Sequence, residues 1–199
     1  QLNWAALEQA IKDDPPSLIS CMQVNNETGA MLDVDRLHET VARLAPECLI
    51  HVDGVQGFLR APFDAKKVHL YTLSGHKLHG PKGVGALYVK KGVRLIPRQI
   101  GGGQEGGLRS GTENTPGIAG LNEAIAEMTA LPDRFERLRE MKKYLVERVL
   151  EAVPEALLNG PAADEGAGHV INISFPGVRG EVMLHALEGK GVYVSTGSA

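Results

Sequence analysis

Apolar residues recur along the chain at two periods, and the alternation between them predicts a succession of helices and strands. After Asn3, a candidate N-cap, Ala6, Leu7, Ala10 and Ile11 fall at helical spacing. Asp13, Asp14, Pro15 and Pro16 end that run, so a helix is expected over residues 3–12. Residues 17–24 are nearly all apolar and predict a strand buried on both faces of a parallel sheet. The polar stretch Asn25-Asn26-Glu27-Thr28-Gly29 follows at the strand's carboxyl end, where open α/β sheets bind ligands. Val34, Leu37, Val41 and Leu44 predict a helix over 33–45. Residues 48–52 read as a second buried strand, closed by Asp53-Gly54-Val55-Gln56. Two more strands are expected at 68–73 and 84–90.

The run from Ile100 to Thr112 is too rich in glycine for a stable helix or strand. A helix follows, capped near Asn114 or Thr115, with Pro116 in its first turn and Ile118, Leu121, Ile125 and Met128 on one face. From Asp133 to about Val153 a longer charged helix is expected, with Phe135, Leu138, Met141, Leu145 and Val149 as its apolar stripe and the charges as its solvated face. Beyond it lie a small-residue loop at 161–168, a strand at 169–175, a helix at 181–188 and a strand at 192–195. The pattern predicts an α/β protein: a mostly parallel sheet flanked by helices over residues 1–132, then a linking helix and part of a smaller α+β domain over 133–199. The chain starts in mid-pattern at Gln1, which is the expectation for a piece of something longer.

Composition adds little to this picture and excludes some functions. At 199 residues, 43% hydrophobic, 23% charged and with a net charge of -3, the chain offers no basic surface for nucleic acid. No apolar run reaches the length of a membrane span, and the default is a cytoplasmic protein. Cys21 and Cys48 lie in separate apolar runs and are expected to be buried and reduced.

Candidate chemistry concentrates in residues 74–83, SGHKLHGPKG, which place a lysine and two imidazoles between two strands. Loops held by rigid elements display reactive side chains. A lysine there can form a Schiff base when its amine is partly neutral. Other readings of the same residues stay open. Lys77 and Lys82 could be ordinary solvated lysines; His76 and His79 with His51 and Asp53 could ligate zinc; Ser74, His76 and Asp53 contain the residue types of a hydrolase triad, without a nucleophile elbow. The amides of the 100–112 loop, with Ser110 and Thr112, could hold a phosphate.

Five stretches taken in order carry a resemblance: NNETG (25–29), HVDGVQ (51–56), SGHKLHGPKGVGALYV (74–89), GGGQEGGLRSGT (101–112) and VYVSTGSA (192–199). Together they resemble the cysteine desulfurases of the NifS and IscS type, pyridoxal 5'-phosphate enzymes of the class V aminotransferase family with the aspartate-aminotransferase-like fold, fold type I. More distant class V relatives, such as a selenocysteine lyase or an aminotransferase, are the alternative, as is a non-catalytic fragment. The resemblance implies that Lys77 holds the cofactor aldehyde as a Schiff base and later moves the substrate Cα proton. It further implies that Asp53 faces the pyridine nitrogen, Gln56 donates to the phenolate oxygen, and Ser74 and His76 bind the phosphate. Asn26 would place the substrate. Thr112 would reach the phosphate of a neighbouring subunit, which makes a homodimer the expected assembly. The implied reaction removes sulfur from L-cysteine, giving alanine and an enzyme persulfide for a sulfur-acceptor or scaffold protein in iron–sulfur or thio-cofactor assembly. The accepting cysteine is expected directly after Ala199, and neither Cys21 nor Cys48 matches it. The family's ring-stacking histidine, its Thr-containing phosphate loop and its C-terminal arginine have no counterpart in these residues.

Overall fold

The computed structural model describes residues 2–197, apart from the side chain of Arg134. The chain forms two compact units. One comprises Leu2–Gln23 and Asp33–Pro132; the other comprises Val24–Leu32 and the chain from Asp133 on.

The larger unit is a four-stranded sheet in the order β1(Leu18–Met22), β2(Leu49–Asp53), β3(Leu70–Ser74), β4(Gly85–Val89). β1, β2 and β3 run parallel, and β4 returns antiparallel to β3. Helix α1(Trp4–Asp13) begins where Asn3 Oδ1 accepts from the Ala6 amide at 3.1 Å, and α2(Val34–Leu44) begins where Asp33 Oδ1 accepts from Arg36 at 2.9 Å. The two helices are joined by the Arg36 guanidinium over the Trp4 ring at 4.5 Å and by an Arg43–Glu8 ion pair at 3.1 Å. α3(Thr115–Ala130) is capped by Asn114, whose Oδ1 accepts from Gly117 at 3.1 Å, and Pro116 occupies its first turn. These are the short polar caps that satisfy the first free amides of a helix.

Several expectations are corrected here. β1 and β2 are not buried on both faces. Along β2, Ile50 and Val52 are buried while His51 and Asp53 are half-open, and β1, an edge strand of the described sheet, leaves Leu18 49% exposed. A strand's side chains alternate between faces, so polar residues at 51 and 53 share one face and the apolar core takes the other. Cys21 is accordingly half-buried and Cys48 buried; both are free thiols. On α3 the buried line is Gly117, Leu121 and Ala124, and Ile118 is exposed.

In the smaller unit, α4(Arg134–Ala152) turns its expected stripe outward at Phe135, Met141 and Leu145 and buries Lys142 and Val146 instead. The cause is the 161–168 loop. Gly168 lies so close to the helix that a Cβ would stand 2.8 Å from the Arg139 amide, and the Lys142 ammonium donates to the Glu165 carbonyl at 2.7 Å and that of Ala167 at 3.4 Å. Lys142 is thus no part of a solvated face. The strand expected at 169–175 is reduced to β6(Ile173–Ser174), paired antiparallel with β5(Leu157–Leu158). α5(Gly180–Glu188) follows. No strand forms at 192–195: Val192, Tyr193 and Val194 are exposed, and no described strand pairs with them. Ser198 and Ala199, the end of the fifth stretch, lie outside the described residues.

Candidate functional site

Because β2 and β3 are parallel, their carboxyl ends open on the same edge of the sheet. Register pairs Asp53 with Thr72, so Asp53 and Ser74 leave the sheet on adjacent strands of that edge and on one face. Lys77 follows three residues after Ser74, in a 3-10 turn formed by Gly75–Leu78. The larger unit therefore brings Asp53, Gln56, Ser74, His76 and Lys77 onto two neighbouring loops.

The first loop is tightly built. The Gly54 amide donates to the Thr72 carbonyl at 2.9 Å, and the Asp53 carbonyl accepts from Gln23 at 2.9 Å. Asp53 Oδ1 accepts from the Val55 amide at 2.9 Å, which fixes the carboxylate on its own turn. Gly57 and Phe58 both donate to the Gly54 carbonyl, at 2.9 and 2.7 Å, so Gln56 sits, half-buried, inside a closed turn. Tyr71 and Gln23, each 1% exposed, lie beneath. The Tyr71 hydroxyl donates to Gln23 Oε1 at 2.6 Å and Gln23 Nε2 donates to the Pro62 carbonyl at 2.8 Å. Burial, and then the Asp53 charge, push the Tyr71 phenol far up, so it remains protonated and a donor. The Phe63 ring stacks on Tyr71 with centroids 3.9 Å apart.

The second loop holds Lys77 by its backbone. The Arg60 guanidinium donates to the Lys77 carbonyl, Gly80 donates to the Gly75 carbonyl at 3.0 Å, and Gly75 donates to Val84 at 2.8 Å. α3 packs on this turn: a Cβ on Gly120 would stand 2.6 Å from Pro81 Cγ. The Lys77 amine makes no hydrogen bond or ion pair among the described residues, while Ser74 Oγ and His76 Nδ1 are 2.8 Å apart. On the same face of the sheet His51 bridges Ser20 Oγ (2.7 Å) and Thr72 Oγ1 (3.3 Å). Among the described residues no three His, Cys, Asp or Glu side chains converge as a metal site.

Two expected residues lie on other segments of the chain. Thr112 is exposed, after a loop in which Ser110 is buried and the Gly111 amide donates to Gln104 Oε1 at 3.0 Å. Asn26 belongs to the smaller unit. There the Asn25 side chain accepts from Glu27 N (3.0 Å), Thr28 N (2.9 Å) and Thr28 Oγ1 (3.1 Å), an Asx turn that presents Asn26, whose amide donates to Glu27 Oε1 at 2.8 Å. Asn172 donates to the Glu27 carbonyl at 3.1 Å and accepts from Asn159 at 2.8 Å. Sequence reasoning missed Gln23, Tyr71, Arg60, Asn159 and Asn172. The one available signal was Gln23, a polar residue inside an apolar run.

The model of the aminotransferase class-V family matches residues 1–199. The chain belongs to that family. Among curated relatives of this class-V chain, the cysteine desulfurase IscS of Methanosarcina thermophila is 41% identical over 196 residues, covering 97% of this chain and 47% of that protein. Among solved structures, the NifS-like protein from Rickettsia africae superposes with a TM-score of 0.89 at 29% identity, over 99% of this chain and 55% of that one. SspA in complex with cysteine superposes with a TM-score of 0.76 at 28% identity, over 100% of this chain and 54% of that one. The fold is that of these NifS-like proteins, fold type I, and the chain spans about half the length of the curated relatives it matches.

Proposed function

We propose that this chain carries the cofactor-binding part of a cysteine desulfurase, which removes sulfur from L-cysteine with pyridoxal 5'-phosphate. The observation that carries the reading is the convergence of Asp53, Ser74, His76 and Lys77 on one edge of the sheet in a class-V chain similar to proteins named cysteine desulfurase.

The donor set fits the cofactor. Asp53 has one oxygen committed to Val55 and a second available for a protonated ring nitrogen, Gln56 supplies an amide, Ser74 and His76 form a polar pair suited to a phosphate, and the Lys77 amine is uncommitted. When bound, the cofactor supplies an electron sink for the charge left on a substrate carbon. The protein's residues do the rest. Asp53 would hold a proton at the ring nitrogen, since a carboxylate favours the charged form of its partner. Lys77 would anchor the cofactor, and its free amine would take the proton from the cysteine Cα, which requires hydrogen-bond reach. In the overall reaction the Cβ–S bond breaks, its electrons stay with the carbon that becomes the alanine methyl group, and the sulfur becomes the outer atom of a persulfide on an accepting thiolate. Cys21 and Cys48 are unsuited to that role, because burial raises both thiols above the usual cysteine range.

The reading extends to a homodimer in which Thr112 reaches the partner's cofactor phosphate, to Asn26 as a substrate-placing residue, and to a sulfur-acceptor or scaffold protein in iron–sulfur assembly. Free cysteines fit a reducing, cytoplasmic setting. No described helix is long and apolar enough to cross a membrane. Borohydride reduction of the full chain loaded with pyridoxal phosphate, followed by peptide mass mapping, should find the label on Lys77. A label on Lys82 or Lys90, or none, refutes the assignment.

A further inference from the structure

The turn that carries Asp53 and Gln56 is held from beneath by two side chains that take no direct part in the proposed chemistry. A Cβ on Gly54 would overlap the Tyr71 ring at Cζ, Oη and Cε1, and a Cβ on Gly57 would stand 2.6 Å from Gln23 Cδ. Both glycines therefore rest directly on these side chains, one at each end of the turn. Neither support has room to drift. The Tyr71 ring is stacked on Phe63, its hydroxyl is bound to Gln23, and the Gln23 amide is bound in turn to the Pro62 carbonyl. The Gln23 backbone adds a bond to the Asp53 carbonyl at 2.9 Å. Tyr71 also feels the Asp53 charge, so the phenol lies within electrostatic reach of that carboxylate.

We propose that Tyr71 and Gln23 are positioning residues that set where Asp53 and Gln56 stand at the cofactor edge. The inference rests on the cofactor reading above and deepens it. The mechanism is geometric: a buried hydrogen-bonded pair with one available arrangement fixes the turn above it, and outer residues of this kind hold a site to within fractions of an ångström. Tyr71→Phe keeps the ring and removes only the hydroxyl; Gln23→Met keeps length and removes both amide bonds.

The test uses pyridoxal phosphate itself and the full chain. For the wild type, Tyr71→Phe and Gln23→Met, the cofactor dissociation constant and the pH titration of the bound cofactor's visible absorption are measured, with far-UV circular dichroism as a check on folding. At preserved fold, each variant should bind the cofactor about tenfold more weakly, the low end of what loss of a supporting hydrogen bond costs at metal sites. The absorption titration should also move, which a merely structural role would not produce. If one variant fails to fold, the other decides. Wild-type affinity and an unmoved titration in a folded variant overturn this inference alone. A wild-type chain that takes up no cofactor overturns the cofactor reading and this inference with it.

Discussion

Gly54→Ala tests the close approach of the Asp53 turn to its support. Gly54 is not among the glycines with positive φ, so alanine brings no backbone strain and the effect is steric. The new methyl would overlap the Tyr71 ring, which must retreat by roughly 1.5 Å to regain a carbon–carbon separation of ~3.5 Å. Phe63 packs on the ring, at 3.9 Å between centroids, and the hydroxyl is held at 2.6 Å by Gln23. Overpacking of this kind costs about 1–3 kcal/mol and the strained Tyr71–Gln23 bond about 1 kcal/mol more, offset by ~0.4–1 kcal/mol from the lower entropy of the unfolded alanine chain. The expected net loss is about 1–3 kcal/mol, read from equilibrium urea denaturation. Tyr71→Ala alone should cost about 3–5 kcal/mol through its cavity. In the double variant the methyl introduced by Gly54→Ala enters that cavity, so the two losses should fall short of additivity by about 1 kcal/mol or more. A Gly54→Ala chain within about 0.5 kcal/mol of wild type, or strict additivity in the cycle, would refute the packing argument.

Three further outcomes are expected. Asp53→Asn should still load cofactor but slow Cα proton removal from L-cysteine by about 10²-fold or more, measured as deuterium incorporation or alanine release; wild-type turnover would show that Asp53 is not the partner of the ring nitrogen. His69 Nδ1 accepts from the Ile50 amide at 3.0 Å, and burial, then Lys90 and His38, hold its pKa below the ordinary value. The folded state therefore binds fewer protons than the unfolded one: the stabilisation is complete above about pH 6.5 and is lost as pH falls through the depressed folded value, a slope that His69→Asn should flatten in urea titrations from about pH 7 to 5. Lys142 is likewise depressed by burial, against the opposing charges of Asp164 and Glu165. Stability should rise with pH between its lowered folded pKa and about 10.4, and a Lys142→Met chain that kept this alkaline slope would sink the assignment.

What could be read from the sequence followed its local periods. The four strands of the larger unit, the caps at Asn3 and Asn114, and the loops at 53–56 and 74–83 all depend on residues within a few positions of one another, and the structure forms them. What could not be read depends on partners far along the chain. The phenol of Tyr71 finds Gln23, 48 positions away, and the ammonium of Lys142 finds a carbonyl 23 positions away. The α4 stripe differs from its expectation for the same reason: a helix shows several plausible apolar lines, and only the 161–168 loop selects the one that includes a lysine. The expected strand at 192–195 had the right residue types but no described partner, and β propensity is expressed only on pairing.

The assignment of Val24–Leu32 to the smaller unit has a consequence for the order in which the protein can be made. The Glu27 carbonyl waits for the Asn172 amide, 145 residues later in the chain, and Gly29 waits for Ala167, whose amide binds its carbonyl at 2.9 Å. At synthesis rates of ~5–20 residues per second the delay is roughly 7–30 s, far longer than the ~1–100 μs in which local collapse takes place. Throughout that interval β1 and β2 can already pair on either side of an excursion whose partners from the later chain do not yet exist. The stretch NNETG must therefore stay open to water during elongation, and its five residues, none of them a large apolar side chain, are suited to that wait.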